Sequence, residues 1–326
     1  MERFNGDLTL TSSEAADLLG VHSSTVKRWS NDGELPSSKT EGGHRRIHLG
    51  DAQALARKRG IETVLSPFHP YEAHVWTVLR AVEEEGSFQR YLTLAMGWVH
   101  RAQLRRLGHL VKAVARLDSV PFHRFCDEAV RGLMLEVGRA WHEGRLRAAE
   151  EHMVTEVVVD VLLELRREHQ RARGHGYEIG SPEAGGVDRP LAVVGSVEGN
   201  RHFLGALCIR LLLERRGWDV LYLGPDVPVE DFAAIQKRRG AGLVCVSLNP
   251  PATAGEISRI LRVLSEFYDP AVPYALGMGG VLPAEFDRSR LAAGPFRAVD
   301  LFASCRELQA SLERDREPTE MVEVAS

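Results

Sequence analysis

Across its 326 residues the chain has little of what marks secreted, membrane-spanning or nucleotide-hydrolysing proteins. It has only four cysteines, Cys126, Cys208, Cys245 and Cys305, scattered in apolar or helical contexts with no CxxC pair. That argues against a disulfide scaffold or a zinc site and for reduced, buried thiols in a cytoplasmic protein. No apolar run approaches the roughly eighteen residues a membrane helix needs, and Met1 to Asp7 has no apolar signal core. Charge of one sign is also missing. With a net charge of -4 and 26% charged residues, any affinity for nucleic acid must come from a local patch. There is no GxxxxGK[ST], no HExxH and no GxGxxG, since Gly195-Ser-Val-Glu-Gly199 does not fit the last of these. The chain does not read as an enzyme.

What is present divides into segments, as the length suggests. In residues 1–60, Thr11-Ser-Ser-Glu14 has the form of a capping box opening a helix through Leu19, and Gly20 stops it. A second helix follows at Ser23-Ser-Thr-Val-Lys-Arg-Trp-Ser30, giving the spacing of a helix-turn-helix. The turn Asn31 to Pro36 and the tip Glu41-Gly-Gly-His-Arg-Arg-Ile47 read as a hairpin wing. Such a unit places Lys27, Arg28, Lys39, His44, Arg45 and Arg46 against phosphates and the short side chains Ser23, Ser24 and Thr25 near base edges.

A linker ends near residue 70. From Tyr71 to Arg173 proline is nearly absent and apolar residues recur at three and four. The stripes read Val75, Val78, Leu79 and Val82; Leu92, Met96, Val99 and Gln103; and Met153, Val157, Asp160, Val161 and Glu164. Breaks near Gly86, Gly108, Pro121 and Gly144 predict a bundle of four or five helices over 71–173. Residues 174–190, rich in Gly, Pro and Glu, read as a second linker. Over 190–316 apolar runs at 191–194, 219–223, 243–247, 274–276 and 298–302 alternate with helical stretches near 202–216, 229–239, 252–268 and 283–292. That alternation predicts a doubly wound parallel sheet, Rossmann-like in class. The tail 317–326 is expected to be disordered. The fold class is thus multidomain, α and α/β.

The first segment resembles the DNA-binding domain of the MerR superfamily and related excisionase-like winged helices, through Ala16-Asp-Leu-Leu-Gly-Val-His-Ser-Ser-Thr-Val-Lys-Arg-Trp29 and Gly42-Gly-His-Arg-Arg46. It departs from MerR in lacking a long dimerisation helix after the wing, so assembly has to come from elsewhere. The last segment resembles the cobalamin-binding module of methionine synthase and the B12 mutases. The three parts of that fingerprint stand as Asn200-Arg-His-Phe-Leu-Gly205, Ser247-Leu-Asn249 and Gly277-Met-Gly-Gly280. The resemblance implies that His202 ligates cobalt from below and that Gly205 permits close approach. It makes Ser247, beside Leu248, the partner of the displaced base, and has Gly279 and Gly280 leave room for the nucleotide tail. Asn200 departs from it, since the family has an acidic residue there that orients the histidine. Asn200 could accept the imidazole N–H instead, or Glu198 could substitute.

Between these segments, Trp141 followed by Glu151-His152 matches the W-x9-EH pattern of the CarH family of B12-dependent photoreceptor repressors. With that family's domain order the resemblance covers nearly the whole chain. It implies that Trp141 packs on an upper 5'-deoxyadenosyl group and that Glu151 contacts its ribose. It also implies that His152 takes the upper position once light breaks the cobalt–carbon bond. The expectation is a light-responsive regulator, a repressor, that binds adenosylcobalamin and operator DNA as a homo-oligomer, dimer or tetramer. Two other readings stay open: a corrinoid-dependent methyltransferase component, and a regulator sensing another tetrapyrrole such as a bilin.

Overall fold

The computed structural model describes residues 8–173, 189–248, 252–280, 283, 286 and 294–314. The linker 174–188, Asn249, most of the helix expected at 283–292 and the tail lie outside the described residues. The chain forms two compact units. One comprises residues 1–120 and 132–157, and the other 121–131 and 158–326.

The first unit begins with β1 (Thr9–Leu10), α1 (Ser12–Leu19), α2 (Ser23–Asn31), β2 (Ser38–Lys39), β3 (Arg45–His48) and α3 (Leu49–Arg59). Thr11 and Glu14 close the capping box, and Gly20 takes the left-handed conformation that ends α1. The wing is a small antiparallel sheet in the order β1-β3-β2. Val26, Trp29, Leu35 and Ile47 are its buried anchors. The Arg59 guanidinium lies 4.5 Å over the Trp29 ring, so the end of α3 is fastened to α2. That helix stops at Gly60.

Helices α4 (Glu72–Glu84), α5 (Gln89–Val99) and α6 (Leu104–Ala115) follow. The stripe Val75, Val78, Leu79, Val82 is buried as read from the sequence. The stripe on α5 is buried only at Val99. The buried face is Tyr91, Leu94, Ala95, Trp98 and Val99, with Leu92 and Met96 only half-buried. The reason is size: Tyr91 and Trp98 carry the larger apolar surfaces, and Trp98 stacks on Phe68 with centroids 5.7 Å apart. A short α7 (Phe122–Arg124) runs through a π-helical turn (Phe125–Val130) into α8 (Arg131–His142), and α9 spans Ala148–Ala172. The buried stripe of α9 is Val154, Val158, Val161, Leu162 and Leu165, one position from the expected line, and Met153 is 47% exposed. Both lines have helical spacing, but only the observed one avoids burying Asp160 and Glu164.

The second unit is built on a five-stranded, wholly parallel sheet. Its strands are β4 (Leu191–Val197), β5 (Asp219–Val227), β6 (Leu243–Leu248), β7 (Ala275–Gly280) and β8 (Ala298–Phe302), in the order β5-β4-β6-β7-β8. Helices α10 (Leu204–Arg215), α11 (Val229–Arg239), α12 (Ala254–Glu266) and α13 (Cys305–Arg314) alternate with them. This is the doubly wound sheet expected. Its winding reverses between β4 and β6, where such sheets open a crevice at the carboxyl ends of their strands.

A charged network stiffens α10. Glu214, buried, accepts from Arg166 Nε at 2.8 Å and from Arg210 Nε at 3.1 Å. Its backbone carbonyl accepts from Arg173 at 2.7 Å. All four cysteines are free and buried. Three of them, Cys126, Cys208 and Cys305, gather at one place, and burial pushes the Cys126 thiol well above its ordinary range. Burial pushes the Cys245 thiol up to about 12, so it stays protonated. Glu214→Ala should cost about 3–5 kcal/mol, because it removes the carboxylate that two buried guanidinium groups share. Urea denaturation would show this as a lower midpoint, and an unchanged midpoint would make the network irrelevant to stability.

Candidate functional site

A β-strand delivers its last residues to the edge of the sheet, and the crevice collects the ends of β4 and β6. Beyond β4, Gly199 turns the chain at φ +80°. His202 then sits in the loop before α10, exposed, at the switch point of the sheet. No described residue hydrogen-bonds its ring. The loop itself is tightly fixed. The His202 backbone N–H donates to Asn200 Oδ1 at 3.0 Å, and its carbonyl accepts from Ser196 Oγ at 3.4 Å. Asn200 Nδ2 donates to the Ser247 carbonyl at 3.2 Å, across from β4 to β6.

Asn200 Oδ1 thus accepts the backbone N–H of His202 rather than its imidazole N–H. Glu198 is also engaged elsewhere, in an ion pair with Arg259 at 2.7 Å. Gly205 lies against β6, where an added Cβ would stand 3.1 Å from Ser247 Oγ. A Cβ at Gly279 would meet the Phe302 ring, and one at Gly280 the Leu248 carbonyl, with Gly280 at φ +147°. Protein neighbours alone thus require both glycines. Asn200, His202, Gly205, Ser247 and Leu248 come together on the ends of β4 and β6, and Gly279 and Gly280 close β7 alongside.

Trp141, Glu151 and His152 belong to the other compact unit. Trp141 stands in the last turns of α8 and is 50% exposed, an unusual position for an indole. Glu151 accepts from Thr155 Oγ1 at 2.9 Å, which fixes its carboxylate. The His152 side chain is 76% exposed and pairs with Glu151 at 3.5 Å. Sequence reading passed over His142, which adjoins Trp141 and is also exposed. Leu135, six residues before Trp141 on α8, is a second exposed apolar side chain, at 58%. Adjacency to Trp141 was the available signal for His142.

In the winged helix, Ser23, Thr25, Lys27 and Arg28 lie along α2, with Lys27 and Arg28 exposed. Ser24 is held by the His22 ring, which caps α2 and bonds its hydroxyl at 2.8 Å. Lys39 and His44 are exposed on the wing. Arg45 and Arg46 are half-buried. Arg45 donates to Asn31 Oδ1 at 2.8 Å and to Ser37 Oγ at 3.3 Å, so it fastens the wing to α2.

Comparison with known proteins agrees with this division. Residues 9–60 match the helix-turn-helix domain family and residues 190–299 the B12 binding domain family. The two together make the chain a B12-binding transcriptional regulator. It is homologous to two repressors of Myxococcus xanthus. The HTH-type transcriptional repressor CarA is 23% identical over 284 residues, 84% of this chain and 87% of that protein. The HTH-type transcriptional repressor CarH is 30% identical over 184 residues, 56% of each chain. Among solved structures, the Methanosarcina barkeri monomethylamine corrinoid protein shares the fold. Its TM-score is 0.50 at 17% identity, covering 70% of this chain and 100% of that one. Among the described residues no helix is long and apolar enough to cross a membrane.

Gly280→Ala should lower stability by about 1–3 kcal/mol or more, since it adds backbone strain to a clash with the Leu248 carbonyl. Equilibrium denaturation measures this, and a variant as stable as the parent would show that the β6–β7 edge can relax.

Proposed function

We propose that the chain is a light-responsive repressor that binds adenosylcobalamin, with His202 as lower ligand to cobalt. The observation that carries this is the exposed imidazole of His202, its ring bonded by no described residue, at the switch point of a B12-binding domain that follows a helix-turn-helix. The residues present fit the group. An unprotonated imidazole is a good ligand for a first-row transition metal. Asn200, Gly205, Ser247 and Leu248 surround His202 on the strand ends, and Gly279 and Gly280 border the space assigned to the nucleotide tail.

The upper-face roles rest on the W-x9-EH spacing together with exposure. Trp141 offers an indole face to the adenosyl group, and Glu151 an oriented carboxylate to its ribose. His152 offers an exposed imidazole, with His142 as the second candidate. Bound adenosylcobalamin supplies a cobalt–carbon bond that visible light breaks. On the protein's side, loss of the group that Trp141 packs against changes how copies of the chain assemble in a dimer or tetramer. A short winged helix binds operator DNA weakly, so several heads on one oligomer supply avidity that disassembly removes. Lys27, Arg28, Lys39, His44 and Arg46 meet the DNA, Ser23, Ser24 and Thr25 approach the bases, and Arg45 holds the wing in place. The cytoplasm is the compartment that suits this reading, with its free, buried thiols.

Loaded with adenosylcobalamin in the dark, the protein should change its visible spectrum, elution volume and operator affinity on green illumination. His202→Ala should weaken dark uptake at least about tenfold. His152→Ala and His142→Ala identify the upper ligand by altering the photoproduct spectrum, and if neither does, ligation by two imidazoles is wrong. A corrinoid that stays light-stable, on a protein with no DNA affinity, would favour a methyltransferase component. Extraction of a bilin would favour a different tetrapyrrole sensor. Lys27→Ala and Lys39→Ala should each reduce the salt slope of DNA binding by about one. Unchanged slopes in fluorescence anisotropy would remove both residues from the interface.

A further inference from the structure

One side chain crosses the crevice between β4 and β6. Asn200 is 7% exposed and engages four polar groups there. Its backbone N–H donates to the Val197 carbonyl at 3.0 Å, and its own carbonyl accepts from the Asp226 N–H at 3.2 Å. Its Oδ1 accepts the His202 backbone N–H, and its Nδ2 donates to the Ser247 carbonyl. The Asp226 carboxylate in turn accepts the Gly199 N–H at 2.8 Å. A single residue thus ties the ends of β4, β5 and β6 to the loop that carries His202.

We propose that Asn200 is a positioning residue that sets the His202 loop before any corrinoid arrives, and that an amide stands here because a carboxylate cannot do both jobs. An amide has a donor and an acceptor, whereas an ionised carboxylate only accepts. With an oxygen in place of Nδ2, two acceptors would face each other at the Ser247 carbonyl, in a place sealed from water. The ring of His202 is then held by its backbone alone. It is presented without the carboxylate partner that orients a metal-bound imidazole and raises its basicity. The presentation of the ring as a cobalt ligand rests on the function proposed above; the fixing of the loop does not.

The test uses the apo protein, full length, as Asn200→Asp and Asn200→Ala. Thermal denaturation at about pH 8 is combined with hydrogen exchange over residues 198–204. Asn200→Asp, whose carboxylate can accept the His202 N–H but has no donor for the Ser247 carbonyl, should melt about 3–8 °C below the parent. Asn200→Ala, which has neither group, should also melt lower, with exchange over 198–204 faster by about tenfold.

An Asn200→Asp variant as stable as the parent, or unchanged exchange in both variants, overturns the proposal; if that Asp variant also binds hydroxocobalamin more tightly, Asn200 is only a weakened copy of the acidic residue. Failure of the parent itself to take up hydroxocobalamin overturns the ligand half alone, and the melting and exchange data still decide the loop.

Discussion

A parallel sheet whose winding reverses between two neighbouring strands leaves a crevice at their carboxyl ends, and in this chain the amide of Asn200 spans it. The rest of the site follows from that bridge. It fixes the direction in which the chain leaves β4, and so where His202 stands. The β4–β6 ladder keeps Ser247 close enough that a Cβ at Gly205 would stand 3.1 Å from its hydroxyl. A flexible loop would carry the same histidine, but would lose the entropy of ordering it on every binding event. Here folding has already ordered it.

The same economy of atoms appears at the other end of the chain. The winged helix has a core of few side chains, and Arg45 spends its guanidinium on Asn31 and Ser37. That guanidinium serves wing geometry. The helix after the wing ends at Gly60, too short for a coiled coil. On the function proposed above, one such head binds little by itself, and assembly is the variable on which the signal acts. The exposed Trp141 and Leu135 of α8 offer apolar surface through which a bound group could alter it.

Much of this was legible in the residues. The capping box at Thr11, the glycine stop at Gly20 and the alternation of strand and helix beyond residue 190 each have a local physical cause, and each stands in the structure. The faces of α5 and α9 were read one position or more out of place. Several diagonals of those helices are apolar, and only tertiary packing chooses among them. The partners of Asn200 were not legible. A side chain that bonds a backbone two residues on and another forty-seven residues on leaves no periodic mark. Nor could sequence separate the two reasons for a glycine. Gly279 and Gly280 fit a pattern that makes room for a ligand, yet Phe302 and Leu248 already demand them.

The central claim is a bond from the imidazole of His202 to cobalt. Electron paramagnetic resonance of the protein loaded with cob(II)alamin reads that bond through the splitting produced by the axial nitrogen. With histidine labelled in nitrogen-15, the account predicts that each triplet collapses to a doublet, and that His202→Ala abolishes the change. Triplets that survive labelling would mean that the corrinoid keeps its own base, or that no histidine binds it, and the account would be contradicted.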